Sequence, residues 1–245
     1  MPKKVSIITV TKNNANGLNR TLRSIQTQSC EDFECIVVDG NSIDNTELVL
    51  NEYKNIIDII EKDENTGIYS AMNQGIKSSS GEWLVFLNAG DSFSDHNVLC
   101  NVKPGSNTDI YHGRVENRVG RELNPRDTRG PIWSEMPFCH QAAFFKRSLF
   151  KNRQFDTTYK ISADHEFILW ANNKGYQFEY TAELIAKIQH GGVSELNIVR
   201  RVLETYRAAR FYFSDADVHI FFRRKLLWAI KKQIKNLLNS NCDEH

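Results

Sequence analysis

Val5-Ser6-Ile7-Ile8-Thr9-Val10 is an apolar run that breaks at once into the polar turn Thr11-Lys12-Asn13-Asn14. A short β-rich run bounded by turn formers reads as a buried strand. Leu18, Leu22 and Ile25 follow at helical spacing, and the pair of readings then repeats down the chain. Phe33 to Val38 is a second strand, ending in Asp39-Gly40. Asp44 with Glu47 three residues on has the form of a capping box, which opens a helix to about Tyr53. Ile56 to Ile60 reads as a third strand, and Gly67 to Ser78 places Ile68, Ala71, Met72, Gly75 and Ile76 on one helical face. Trp83 to Leu87 is a fourth strand, ending in Asn88-Ala89-Gly90-Asp91. Strand and helix alternating in this way predict right-handed βαβ units, hence an α/β fold with a mostly parallel central sheet and helices on both faces. Such sheets bind ligands beyond the carboxyl ends of their strands, so the polar clusters at 11–14, 39–46, 61–67 and 88–91 are expected on one edge.

After Asp91 the pattern loosens. Ile110 to Glu116 reads as a strand, and the charged stretch with Pro and Gly up to Pro137 reads as an inserted hairpin and loop. Phe138 to Lys146, a helix around Ser162 to Lys174 and a strand near Gln177 to Ile188 come next, with helix from about Asn197. This divides the chain into an α/β domain over 1–195, in halves 1–100 and 101–195, and a helical extension over 196–245.

The charges nearly balance: 31 Lys and Arg against 30 Asp and Glu in 245 residues, net +1. A chain that coats nucleic acid carries a clear basic excess, so no nucleic-acid partner is expected. No run of about 18 uncharged apolar residues exists, which excludes a transmembrane helix. Met1-Pro2-Lys3-Lys4-Val5 lacks the apolar core of a signal peptide, predicting a cytoplasmic protein, at most attached to a membrane face. The cysteines are 30, 35, 100, 139 and 242, an odd number without a C-x-x-C pair. That predicts incidental thiols in a reducing compartment rather than a disulfide framework or a zinc knuckle.

No G-x-G-x-x-G follows the first strand and no G-x-x-x-x-G-K-[ST] occurs, which argues against a dinucleotide site and a P-loop. The strand ends carry Asp39, Asp63 and Asp91 instead. Carboxylates accept from a nucleobase N–H, bind ribose hydroxyls, or hold a divalent cation that screens a diphosphate. Singly, a strand-end Asp is most often a turn former or helix cap; three on one edge point to a site. Val5-Ser6-Ile7-Ile8-Thr9-Val10-Thr11-Lys12-Asn13, Val38-Asp39-Gly40-Asn41-Ser42-Ile43-Asp44-Asn45-Thr46, Glu61-Lys62-Asp63 with Gly67-Ile68-Tyr69-Ser70-Ala71-Met72-Asn73, and Phe86-Leu87-Asn88-Ala89-Gly90-Asp91 together resemble the family 2 glycosyltransferases of the GT-A fold. The nearest flavour is the bacterial branch that builds capsule, O-antigen or colanic-acid-like exopolysaccharide.

The resemblance implies a GT-A (Rossmann-like) sheet and inverting transfer of a sugar from a nucleotide-sugar donor, usually a UDP-sugar, to a glycan acceptor, here a lipid-linked one. Mg²⁺ or Mn²⁺ is the implied cofactor. Residues 1–100 become the donor half and 101–195 the acceptor half. Thr9 and Thr11 would line the nucleotide pocket, Asp39 would bond the base, Asp63 would lie against base or ribose, and Asn88 joins this donor-binding set. Asp91 falls in the metal-binding Asp-x-Asp region. The sequence departs from the common Asp-Ala-Asp-Asp here, and His190 is the candidate to complete the coordination.

Ser162-Ala163-Asp164-His165-Glu166 matches the place of the family's acidic base motif. Inversion needs a carboxylate that removes the acceptor proton on the face opposite the diphosphate. Asp164 is assigned that role and Glu166 competes for it, while acidic residues also simply suit a helix N-terminus. His140 and Gln141 are candidates for acceptor or donor-sugar contact, with a structural histidine as the alternative. His190-Gly191-Gly192 reads either as a ligand-approach loop or as a plain turn. Trp133 reads as a sugar-stacking platform or as core. Two other functions stay open: a nucleotide-sugar-binding protein that has lost catalysis, and a nucleotidyltransferase, although no Gly-rich basic loop follows Val10.

Phe222, Leu226, Ile230, Ile234 and Leu238 repeat every four residues, with Leu227, Trp228 and Leu237 beside them. Arg223, Arg224, Lys225, Lys231, Lys232 and Lys235 lie between, and 221–239 holds no acidic residue. An apolar face with a cationic remainder predicts docking of 221–239 on an anionic membrane surface, at the inner face of the cell membrane. The competing reading is that the stripe packs on the catalytic domain.

Overall fold

The computed structural model describes residues 4–64, 67–117, 120, 122–123, 130–189 and 197–240. Four strands, β1 (Val5–Thr11), β2 (Phe33–Asp39), β3 (Ile59–Lys62) and β4 (Trp83–Phe86), lie side by side in the order β3-β2-β1-β4 and are parallel. The helices α1 (Ala15–Gln26), α2 (Thr46–Glu52) and α3 (Ile68–Ser78) connect them. Ile8, Val10, Ile36 and Val38 face Ala71, Met72 and Ile76 of α3. Ile7, Cys35 and Val37 face Leu18, Leu22 and Ile25 of α1 on the other side. Both faces of β1 and β2 are therefore covered, which is why these strands read as continuous apolar runs instead of alternating. Gly75 permits the close seating of α3, since a Cβ there would lie 2.5 Å from Ile8 Cγ2.

The rest of the chain comprises β5 (Ser92–Phe93), α4 (Val98–Asn101), β6 (Ile110–Asn117), β7 (Glu122–Leu123), a 3₁₀ turn His140–Ala142, β8 (Ala143–Lys146), α5 (Leu149–Asn152), α6 (Ala163–Asn173), β9 (Phe178–Ile188), α7 (Ile198–Tyr212) and α8 (Ala216–Ser240). The sheet continues from β4 as β8-β6-β9-β5, with β7 paired to β6. Here it is mixed: β8 runs antiparallel to β4 and β6, while β9 is parallel to β6. Antiparallel β8 positions the site, because its leading turn His140–Ala142 arrives at the carboxyl end of β4.

Three local expectations change. The third strand begins at Ile59, because Asp58 closes a two-bond bridge with Cys35 and the ladder starts at the pair Ile36–Ile59. Asn45, not Asp44, caps α2, and the Asp44 carboxylate instead accepts from Thr46 and from the Ala15 N–H of α1. Cys30 and Cys100 are joined in a disulfide with a Cα–Cα distance of 5.5 Å, which overturns the reading of incidental thiols. Their separation of 70 residues carries no local signal.

The C-terminal helices share the main core. Ile198, Val202, Ala208 and Ala209 of α7, and Val218, Phe222 and Ala229 of α8, are buried with α3 and α6. The four-residue stripe is thus split: Phe222 is buried and Leu226 packs on the core, whereas Ile230 and Ile234 are exposed. Among the described residues no helix is long and apolar enough to cross a membrane.

Candidate active site

The loops after β1 and β2 interlock. The Asn13 and Ile43 N–H groups donate to Ser42 Oγ and Asn13 Oδ1, both at 2.8 Å, and Gly40 N–H donates to the Thr11 carbonyl at 2.9 Å. Asn13 (φ +48°) and Asn41 (φ +55°) take the left-handed conformation that short amide side chains tolerate. Asp63 N–H donates to the Asp39 carbonyl at 2.8 Å, so the ends of β1, β2 and β3 form one shelf. The carboxylates of Asp39 and Asp63 are buried on it, and Asp39 accepts from the Ser42 N–H and hydroxyl. Thr9 Oγ1, Thr11 Oγ1 and Asn88 Oδ1 are buried with no hydrogen-bond partner among the described residues. Each such group costs about 1–3 kcal/mol, and native proteins leave few of them. These three cluster at adjacent strand ends.

The Asn88–Asp91 turn is held from α1: Gly90 N–H donates to Thr21 Oγ1 at 3.0 Å, and that hydroxyl donates to the Asp91 carbonyl at 2.6 Å. Asp91 Oδ1 accepts from Gln189 N–H at 2.9 Å and Oδ2 from Gln141 Nε2 at 3.2 Å, tying the turn to the end of β9 and to the turn before β8. No group of three or more His, Cys, Asp or Glu able to hold a metal occurs among the described residues. The Asp91 carboxylate and the unpartnered Asn88 amide oxygen are hard donors. They fit a Mg²⁺-type ion that takes most of its shell from diphosphate and water, not an all-protein cage. His190 lies outside the described residues.

Asp164, in the first turn of α6, stands 2.7 Å from His140 through Oδ2. Its Oδ1 lies 2.9 Å from the Tyr69 hydroxyl and accepts from His165 N–H at 2.9 Å. Burial alone would raise the Asp164 pKa, but His140, Tyr69 and the backbone N–H outweigh it and hold the carboxyl below its usual range. Burial likewise works against a charged His140, yet the bond to Asp164 and the charges of Asp164 and Asp91 raise its pKa above the usual imidazole value. Burial, then the Asp164 charge, pushes the Tyr69 phenol well up. His140 Nε2 is buried and unpartnered among the described residues. The turn His140–Ala142 thus touches both the Asn88–Asp91 turn, through Gln141, and the head of α6, through His140.

Residues 6–167 match Glycosyl transferase family 2. The chain belongs to that family. This glycosyltransferase is 32% identical over 213 residues to a PGL/p-HBAD biosynthesis glycosyltransferase of Mycobacterium bovis (strain BCG / Pasteur 1173P2), spanning 81% of this chain and 82% of that one. It is 34% identical over 119 residues to the poly(ribitol-phosphate) beta-N-acetylglucosaminyltransferase TarP of Staphylococcus aureus (strain N315), spanning 46% and 36% of the two chains. In structure it resembles S. aureus TarS 1–349 in complex with UDP (TM-score 0.69, 18% identity, 95% of this chain and 72% of that one). It also resembles the mannosyltransferase PcManGT of Pyrobaculum calidifontis with GDP-Man and Mn²⁺ (TM-score 0.70, 18% identity, 99% and 77%). At these identities the two structures speak for the fold, a GT-A-like α/β architecture.

Two site candidates of the glycosyltransferase make contacts away from Asp164. Glu166 faces away from Asp164: its Oε1 accepts from Arg153 at 2.7 Å and from Tyr212 at 2.6 Å, and burial raises its pKa. Residues two apart on a helix point to opposite sides, so only one of the two acids can face the cleft. Trp133 is buried against the C-terminal helix, edge-to-face with Phe221 at 5.4 Å, and takes the core role. The sequence reading missed Tyr69 and Glu204. Tyr69 sits inside a quoted motif, and its position in the first turn of α3 was its signal. Glu204 of α7 accepts from the N–H groups of Lys160, Ile161 and Ser162, fixing the approach to α6, and nothing local marks it.

Proposed function

We propose that this glycosyltransferase moves a sugar with inversion from a UDP-sugar to a hydroxyl of a lipid-linked glycan, in bacterial surface polysaccharide synthesis. The observation that carries the reading is the set of buried, unpartnered atoms Thr9 Oγ1, Thr11 Oγ1 and Asn88 Oδ1 beside the buried carboxylates Asp39 and Asp63. In this account Asp39 accepts from the N–H of the base, Asp63 takes the base or ribose, and the two threonines line the nucleotide pocket. Asp91 and Asn88 would hold Mg²⁺ or Mn²⁺, with His190 as the candidate further ligand. When bound, that cation offsets the charge that grows on the leaving diphosphate. The UDP, GDP-Man and Mn²⁺ in the neighbouring structures support a nucleotide donor with a divalent ion.

General-base catalysis centres on Asp164, at the head of α6, and His140 and Gln141 border the transferred sugar. Residues 1–100 serve the donor, 101–195 the acceptor, and 196–245 the membrane. Membrane docking is supported by Ile220, Leu227, Ile230 and Ile234, all exposed on α8, with exposed Arg223, Arg224, Lys231, Lys232 and Trp228 around them. This strip is distinct from the Val218, Phe222 and Ala229 face that α8 buries against the core. Such a surface suits the anionic inner leaflet, where a cytoplasmic enzyme meets a lipid-linked acceptor.

A thermal-shift panel of UDP-, GDP- and dTDP-sugars with and without Mn²⁺ tests the donor reading. Selective stabilisation by UDP-sugars is expected, and no response to any nucleotide diphosphate overturns the reading. Co-sedimentation of the full chain with phosphatidylglycerol vesicles tests the membrane part: binding is expected at low salt and lost in Leu227→Ser/Trp228→Ser. Equal binding by wild type and variant, or by neither, overturns it.

A further inference from the structure

We propose that Tyr69 is a positioning residue for the transfer step: from α3, its hydroxyl fixes the Asp164 carboxylate at the head of α6. This deepens the transferase reading and rests on Asp164 as its base.

Two side chains of α3 reach across to the segment that leads into α6. Tyr69 and Asn73 are four residues apart, hence on one face of the helix, and both are buried. Asn73 Nδ2 donates to the Phe155 carbonyl at 2.9 Å, and its Oδ1 accepts from the Phe155 N–H at 3.0 Å. The Tyr69 ring lies 5.6 Å from that of Phe155. Its hydroxyl lies 2.7 Å from the Ile161 carbonyl and 2.9 Å from Asp164 Oδ1. The opposite contacts of α3 are Ile8 and Val10 of β1 and Ile36 and Val38 of β2. One helix therefore joins the strands that end in Thr9, Thr11 and Asp39 to the head of α6. Asn73 holds backbone only, whereas Tyr69 reaches the carboxylate.

A phenol has one proton, and this one has two acceptors. A carboxylate is the stronger acceptor, so the proton goes to Oδ1 while Asp164 is ionised. Once Asp164 has taken the proton of the acceptor hydroxyl, the phenol turns to the Ile161 carbonyl and keeps a partner. The bond thus favours the ionised acid before the step and leaves no buried hydroxyl unpaired after it.

The other groups around Asp164 make this bond separable. His140 stands at Oδ2 from the turn before β8, and the His165 N–H donates to Oδ1 within α6. The His165 ring itself turns to the Ile132 carbonyl at 3.0 Å. The Cys139 thiol, pushed up to about 12 by burial, stays neutral. Glu204 of α7 acts on the phenol, and Asp91 acts on His140 and Cys139. Burial and then the Asp164 charge hold the Tyr69 phenol well above its ordinary value, so it stays protonated wherever the enzyme works. Tyr69→Phe therefore removes one hydrogen bond and no titrating group, which no change at His140 does. Burial raises the Asp164 pKa, and the bonds from His140, Tyr69 and His165 bring it below the usual value. Losing one of these donors moves it up.

Tyr69→Phe keeps the ring against Phe155 and deletes only the hydroxyl. The assay is UDP release from the stabilising UDP-sugar with Mg²⁺, water serving as acceptor, followed across the acid limb of kcat. UDP affinity and a melting curve accompany it. The expected result is UDP affinity within about threefold of wild type, kcat lowered about tenfold, and an acid limb moved up by about one pH unit. Asn73→Ser should lower Tm and leave the limb where it is. Wild-type kcat or an unmoved limb in Tyr69→Phe, or a limb moved as far in Asn73→Ser, overturns the inference while Asp164→Asn is inactive. UDP release at the wild-type rate by Asp164→Asn overturns the base assignment beneath it. Failure of the wild-type enzyme to release UDP from any UDP-sugar overturns the transferase reading itself.

Discussion

Glu204→Ala removes the group that connects the C-terminal helices to the head of α6, which carries Asp164. The Glu204 carboxylate lies 3.0 Å from Lys160 N, 2.7 Å from Ile161 N and 3.1 Å from Ser162 N, three N–H donors in the segment that leads into α6. Hydrogen bonds to a charged acceptor contribute about 1.5–3 kcal/mol each. Only the Ser162 bond is fully buried, so water recovers part of the other two. The Arg200 partner is exposed and adds little. The substitution is therefore expected to cost about 3–4 kcal/mol, which for a chain of this size lowers Tm by about 10 °C. Glu204→Gln keeps one acceptor oxygen and should lose about half as much, leaving enough folded enzyme for kinetics. In that variant UDP affinity should hold while turnover falls, because the head of α6 carries Asp164. Calorimetric melting and UDP-release rates check both parts. A Glu204→Ala Tm within 2 °C of wild type would refute the reasoning.

Asp39→Ala and Asp63→Ala should each weaken UDP-sugar binding by about 1–3 kcal/mol, roughly tenfold or more in affinity; titration calorimetry showing both unchanged would reduce them to turn residues. Burial alone would raise the Glu34 pKa, but bonds from Ser6, Ser80 and Gly81 hold it below 4.5. Its contribution to stability is accordingly present above the unfolded pKa and is lost as pH falls through the folded one. Urea unfolding at neutral and acid pH should show a smaller acid loss in Glu34→Gln than in wild type, and equal losses would remove Glu34 from the account. Cys30→Ser/Cys100→Ser opens a 70-residue loop and should cost up to about 4 kcal/mol in chain entropy. A non-reducing peptide map without the linked pair would dismiss the disulfide.

The parallel half of the fold was legible because β1, β2 and β4 are buried on both faces and end in turn formers. β3 was placed too early because it is only half-buried, while Ile56 and Ile57 just before it are apolar for a different reason: they pack beneath α1 and α2. The convergence of the strand-end polar clusters was legible for the same cause as the strands, since parallel topology brings them to one side. The contact between His140 and Asp164 was not. His140 and Asp164 stand 24 residues apart, and their contact depends on β8 running antiparallel and on α6 packing beside it. The choice between Asp164 and Glu166 needed the side each faces. The stripe of α8 predicted an amphipathic helix correctly, yet only packing reveals that Phe222 faces inward and Ile230 and Ile234 outward.

The central claim is that the shelf at the ends of β1, β2 and β3, with the turn after β4 beside it, presents a nucleotide-sugar for attack from the side of His140 and Asp164. Its most direct test is the configuration of the first sugar released. Proton NMR of wild-type enzyme turning over an α-linked UDP-sugar should show the β-anomer appearing first, ahead of mutarotation, and no sugar release in Asp164→Asn. Initial appearance of the α-anomer, or unchanged release by the Asp164 variant, would contradict the account.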